Sequence, residues 1–241
     1  MRLLVINPNT SVSVTERLRT HVAAELGAEV TLQLATAPFG ARYIADEVSF
    51  AVAGHAALTA YAAHCEAHGE PDAVLLGCFG DPGVWALREA TQRPVVGLAE
   101  AAMIEAAGHG RFAIVTGGAA WGPMLRRLAR SLELDGALTG IHTVESTGVQ
   151  LAAEPELALQ VLGAACRRAA VNAHAVILGG AGLAGMAAAL APGLEVPLID
   201  SVSAGARAVL SGNPRFLGTT GPVTAAQDWS GVSPALQRRR T

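Results

Sequence analysis

Two stretches of the chain are close to copies of each other, and any fold for it has to accommodate both. Ala73-Val74-Leu75-Leu76-Gly77-Cys78-Phe79-Gly80-Asp81-Pro82-Gly83 runs from four apolar residues into a loop punctuated by glycine. Ala175-Val176-Ile177-Leu178-Gly179-Gly180-Ala181-Gly182-Leu183-Ala184-Gly185 does the same. A short apolar run closed by glycine reads as a buried strand ending in a tight loop. The copies agree at the strand and at three glycines, while Cys78 faces Gly180. Self-similarity at this spacing predicts two alike halves.

The remaining pattern fits the doubling. Leu3–Ile6, Val30–Leu34, Ala73–Gly77 and Pro94–Leu98 read as strands of the first half, and Arg111–Thr116, Leu138–Val144, Ala175–Leu178 and Val196–Asp200 as strands of the second. Helices are predicted near 12–26, 49–68, 84–91, 100–107, 121–134, 155–173, 186–190 and 204–210. Continuous apolar strands alternating with helices argue a parallel sheet covered on both faces. The expectation is an α/β protein of two pseudo-symmetric lobes, each a mainly parallel sheet flanked by helices. Residues 1–100 with a C-terminal segment of about 204–241 form the first, and residues 101–203 the second. Ligands bind beyond the carboxyl ends of such strands, so the two glycine loops should face each other across one cleft.

Charge and composition remove several function classes. The formal net charge of −3 gives no electrostatic case for nucleic acid or an anionic membrane. No apolar run reaches the roughly 18 residues needed to span a bilayer. Met1–Pro8 is too short and too soon broken to read as a secretory leader. Three cysteines, an odd number, fit a reducing compartment, so the expected location is the cytoplasm. All 17 basic residues are arginine. Without lysine there is no Schiff-base chemistry and no Gly-Lys-Ser/Thr phosphate loop.

Cys78 is the candidate nucleophile or acid. It lies past a strand, between glycines and ahead of a helix, where backbone N–H groups should favour the thiolate. Cys65 and Cys166 fall inside helices and read as structural. Asn9 and Thr10, in the turn after the first strand, and Thr116 and Gly117, at the end of its counterpart, are expected to line the cleft. So are the loop positions Phe79, Gly80, Ala181 and Gly182, with Phe39, Tyr43 and Trp121 as wall residues. Donors of this kind suit a carbonyl or carboxylate that gains negative charge during reaction. Gly180–Gly185 also fits G-x-G-x-x-G with Asp200 downstream, but it comes too late in the chain for a dinucleotide fold. His64 and His68 share a helix face without an evident third ligand, so no metal site is expected and the pair reads as an exposed helix end. Arg238-Arg239-Arg240 reads as a solvated terminus.

Four segments together resemble the aspartate/glutamate/hydantoin racemase superfamily, nearest its hydantoin and allantoin racemases. They are Ile6-Asn7-Pro8-Asn9-Thr10-Ser11, Phe39-Gly40-Ala41-Arg42-Tyr43-Ile44, Gly77–Gly83 and Leu178–Gly182. The resemblance implies two α/β lobes, no cofactor, a homo-oligomer, and two cysteines on opposite faces of a planar carbanion. Cys78 matches the first cysteine, and Gly180 stands where the second would be. Three readings follow for a small-molecule substrate such as a hydantoin, an amino acid or a malonate-like carboxylate. The first is a racemase whose second acid is missing or replaced. The second is a one-cysteine enzyme, similar in logic to arylmalonate decarboxylases, that protonates an enediolate from the Cys78 side. The third is a module that binds the carboxylate or hydantoin without turning it over.

Overall fold

The computed structural model describes residues 1–146, 150–151, 154–218 and 229–239. The first half runs β1 (Arg2–Asn7), α1 (Val12–Glu25), β2 (Thr31–Thr36), α2 (Glu47–His68), β3 (Ala73–Leu76), α3 (Val84–Ala90), β4 (Val95–Gly97) and α4 (Leu98–Ala107). The second half repeats the alternation as β5 (Phe112–Gly117), α5 (Trp121–Ser131), β6 (Leu138–Val144), α6 (Pro155–Ala170), β7 (Ala175–Gly179), α7 (Met186–Leu190), β8 (Leu198–Asp200) and α8 (Ser201–Leu210). A short helix, α9 (Pro234–Arg238), lies against α2.

The doubling extends to topology. One four-stranded sheet has the order β2-β1-β3-β4 and the other β6-β5-β7-β8, and every pairing is parallel. Register is fixed by burial: Leu3 pairs with Leu32 and Ala73, and Ile6 with Ala35 and Leu76. Leu3–Ile6, Val74–Leu76 and Ile114–Val115 are wholly buried, as expected of strands covered by helices on both faces. Each such Leu, Ile or Val contributes roughly 1.5–3 kcal/mol relative to an exposed side chain. The α/β class and the two parallel-sheet lobes are those expected from the sequence.

The lobes share one core. Helix α4 packs on β5, β7 and β8 of the second sheet, whereas α8 packs on β3 and β4 of the first, and the two helices meet. Each half thus lends its last helix to the interface. The buried cluster around Leu75, Leu98, Met103, Ile177 and Val202 runs continuously between the sheets.

Helix starts differ from expectation where a carboxylate caps them. Helix α2 begins at Glu47 rather than near Ser49, because Asp46 accepts from Ser49 N at 2.8 Å and Ser49 Oγ accepts from Asp46 N at 3.1 Å. Helix α8 begins at Ser201 because Asp200 accepts from the Val202 and Ser203 amides. Such caps supply acceptors for amides that have no partner within the helix. The basic terminus is not simply solvated. Arg238 pairs with Glu66, and Arg239 pairs with Glu70 while lying 4.7 Å from the Tyr61 ring centre; Arg240 lies outside the described residues. Among the described residues no helix is long and apolar enough to cross a membrane.

Candidate active site

In each sheet the chain leaves the central pair of strands in opposite directions, so the loops after β1 and β3, and after β5 and β7, splay apart. Such a switch point is where open α/β sheets hold ligands. All four loops converge on one cavity, roofed by the β2–α2 loop. The centres of water-sized molecules can occupy ≈ 60 Å³ of it. One water needs about 10–15 Å³ on this measure, so the space suits a compact small molecule and excludes a polymer.

The β1 loop is built by its asparagines. Asn7, fully buried, donates from Nδ2 to Asn9 Oδ1, Ser11 O and Thr15 Oγ1, each at 3.0 Å. Asn9 Oδ1 also accepts from Ser11 N at 2.9 Å. With its oxygen committed to the turn, the amide NH2 of Asn9 is what remains for the cavity it lines. Thr116, buried at the end of β5, lines the opposite side with Gly117. Tyr43 reaches across from the roof and donates its hydroxyl to Gly117 O at 3.3 Å.

The glycine loops interlock by placing a ring of one lobe on a glycine of the other. The Phe79 ring lies where a Cβ on Gly179 would be, and the Trp121 ring lies where one on Gly80 would be. Both aromatics are buried, Phe79 at 3 % exposure and Trp121 at 5 %. They close the apolar wall together with Val14, Ile44 and Leu183.

Cys78 is on the cavity wall with 8 % exposure. Its expected activation by a helix terminus does not occur. Helix α3 starts only at Val84, beyond the loop, and Cys78 N is already bonded to Leu76 O at 2.9 Å. Burial, with the Asp81 carboxylate as the second cause, pushes the thiol well above the usual cysteine range. The group is therefore held as a thiol at neutral pH. Gly180 lines the same cavity, has φ 140°, and donates its N–H to Ser201 Oγ at 3.1 Å.

Ten of the positions singled out from sequence border the cavity: Cys78, Gly180, Asn9, Tyr43, Phe79, Thr116, Gly117, Trp121, Ala181 and Gly182. Three do not. Thr10 instead ties the β1 loop to the roof through its N–H to Ala41 O at 3.1 Å. Phe39 is 37 % exposed and packs edge-on against His55 with ring centres 5.0 Å apart. Gly80 is covered by Trp121. The sequence reading missed Val14, Ile44 and Leu183. The Ile44 position was signalled only by its neighbour Tyr43, and Val14 by its place in the first turn after the asparagine loop.

Other candidates resolve elsewhere. His64 is buried rather than at an exposed helix end, and burial followed by His68 and Arg2 lowers its pKa. Among the described residues no three His, Cys, Asp or Glu side chains cluster as a metal site. Asp200 caps α8 and also accepts from Gly185 N at 2.8 Å, so its carboxylate is committed within the protein.

Residues 3–209 match the Asp/Glu/Hydantoin racemase family model. The chain belongs to that family. It is 36% identical over 212 residues to a hydantoin racemase of Paenarthrobacter aurescens, spanning 86% of this chain and 89% of that one. A hydantoin racemase of Pseudomonas sp. (strain NS671) is 31% identical over 210 residues, 86% of this chain and 84% of its own. Among solved structures, the allantoin racemase from Klebsiella pneumoniae superposes with a TM-score of 0.87 at 30% identity, covering 98% of both chains. Within this racemase family the interlocked loops therefore belong to a fold shared over nearly the entire chain.

Proposed function

We propose that the protein is a cofactor-independent racemase of the hydantoin type, transferring protons at a carbon α to a carbonyl through the Cys78 thiol. The observation that carries this reading is the cavity itself. Both glycine loops wall it, and among the described residues that line it one bears a thiol and none bears a cationic side chain. A free amino-acid carboxylate or a malonate would be desolvated there without a counter-charge, which is costly. A hydantoin presents neutral carbonyls that the Asn9 amide NH2, the Thr116 hydroxyl and loop N–H groups can meet. The two curated hydantoin racemases and the allantoin racemase structure support the same substrate class.

The α-carbon of a hydantoin is acidified by its carbonyl, and donors fixed around the cavity stabilise the enolate. With Cys78 held as the thiol, solvent on the Gly180 side removes the α-proton. The Cys78 thiol then delivers a proton to the other face, and the thiolate recovers one from solvent. In the reverse direction the thiolate abstracts and water delivers. Water is a poor substitute for a positioned side chain, whose proton transfer is worth roughly 10²–10⁴-fold. Turnover should therefore be slower than in a two-thiol enzyme. Lobe limits of 1–100 with 204–241, and 101–203, belong to the same proposal, supported by the packing of α8 on β3 and β4 and of α9 on α2.

Chiral chromatography of 5-substituted hydantoins, allantoin, free amino acids and arylmalonates tests the reading. Racemisation of a hydantoin or allantoin, with amino acids and malonates untouched, is the expected result. Decarboxylation of a malonate, or tight binding of all classes without turnover, would overturn it.

A further inference from the structure

The proton-transfer reading accounts for Cys78 but leaves Asp81, three residues on in the same loop, without a role. Asp81 is 3 % exposed and adopts φ 59°, a left-handed conformation that costs a non-glycine residue energy and persists only where the surroundings enforce it. The enforcement is visible. Its Oδ1 accepts from Ala99 N at 2.9 Å and its Oδ2 from Glu100 N at 2.8 Å, so the side chain serves as acceptor for the first turn of α4. Its own N–H donates to Cys78 O at 3.2 Å, and its carbonyl accepts from Val84 N at 3.2 Å. Gly97 lies directly beneath, and a Cβ there would overlap the carboxylate.

We propose that Asp81 is the positioning residue for the Cys78 thiol: it pins the thiol loop to the start of α4 and so fixes where, and beside what charge, the sulfur is held. This rests on Cys78 being the proton-transfer group, but its test reads the thiol directly. The groups facing Asp81 are Glu100 from α4 and, attracting it, Arg88 from α3, which itself pairs with Glu100. Among the described residues, Tyr43 is the other titratable side chain bordering the cavity. Burial and Glu100 push Asp81 up to about 8, so it is ionised throughout the more alkaline range where Cys78 loses its proton. The carboxylate is then a fixed negative neighbour that delays thiolate formation.

The experiment is iodoacetamide alkylation of the full chain, with the Cys78 peptide quantified by mass spectrometry from about pH 7 to 10, where thiolate rather than thiol reacts. Wild type, Asp81→Asn and Asp81→Ala are compared. Asp81→Asn should leave the rate near pH 7, where Asp81 itself carries a proton, little changed and raise it roughly tenfold near pH 10, because a like charge is gone there. Asp81→Ala should in addition lower kcat for hydantoin racemisation about 10- to 100-fold with KM within about twofold, since a misplaced group loses its alignment. A loop merely loosened would raise alkylation by the same factor at every pH. That outcome in Asp81→Asn, or an unchanged profile, overturns the assignment. Should Asp81→Ala fail to fold, Asp81→Asn decides alone. A profile raised only at alkaline pH in a protein that racemises nothing leaves Asp81 in place and removes the proposed function instead.

Discussion

The two glycine loops start and finish alike. Each follows a buried strand, and each ends in a left-handed glycine at a helix start, Gly83 with φ 84° and Gly185 with φ 85°. Between those points they diverge. In the front loop, Asp81 reaches out to cap α4. In the back loop the capping carboxylate belongs to the helix, where Asp200 binds the Val202 and Ser203 amides and reaches back to Gly185 N. The same helix-cap requirement is met from opposite directions. One consequence is that a carboxylate lies beside the thiol in the front loop and no counterpart lies within Gly180–Gly185. A second is backbone shape: positive φ falls on Gly80 and Asp81 in front, and on Gly180, opposite Cys78 in the alignment, behind. The position that lacks a thiol has also taken a backbone that L-residues rarely adopt.

That contrast can be broken at its strongest point first. Replacing Cys78 by Ala should lower turnover by roughly 10²–10⁴-fold, the worth of one positioned proton-transfer group. Circular dichroism should show the fold retained, since a small thiol at a cavity wall carries little packing. Phe79→Ala comes next, because the ring fills the space over Gly179 and ties the loops together. A loss of about 3–5 kcal/mol in chemical denaturation is expected for removing a buried phenylalanine.

Gly180→Cys sharpens the comparison. The atoms nearest a Cβ there belong to the Leu183 side chain, at 3.4–4.0 Å, which is ordinary contact. Room exists, but the φ of 140° does not suit a side chain. The variant should therefore lose about 1–3 kcal/mol of stability while gaining racemisation relative to one-sided exchange. Unchanged stability would show that the back loop readily adopts the front loop's path.

The smallest effect lies far from either loop. His64 is buried in α2 with its pKa lowered by burial first, then by His68 and Arg2. Below the unfolded value of about 6.5 the unfolded chain takes up a proton that the folded chain resists. Stability attributable to His64 is thus complete above that pH and declines as pH falls through it. Denaturant midpoints measured across this range should show the slope, and His64→Phe should flatten it.

Much of this architecture was legible in the residues. Apolar runs such as Leu3–Ile6 and Ala73–Leu76 are long enough, and punctuated clearly enough by Asn-Pro and Gly, to fix strands, alternation and the doubling. The positions of Cys78 and Gly180 on one cavity followed from the rule that places ligands at strand ends. What the sequence did not carry was side-chain direction. Phe39 and Tyr43 share one loop, yet only Tyr43 turns inward, because its hydroxyl finds Gly117 O. Asp81 was visible as a loop residue, but its partners Ala99 and Glu100 come from a later helix brought in by tertiary packing. The same long-range burial raised the pKa of Cys78, which the sequence alone led us to expect backbone N–H groups to lower.

The most direct measurement is solvent deuterium incorporation at the α-carbon of a single-enantiomer 5-substituted hydantoin in D2O, followed by NMR and polarimetry for wild type and Cys78→Ala. Wild type should show incorporation above the uncatalysed rate with loss of optical rotation, and the variant should show both slowed roughly 10²–10⁴-fold. Exchange at the wild-type rate in Cys78→Ala would contradict this mechanism.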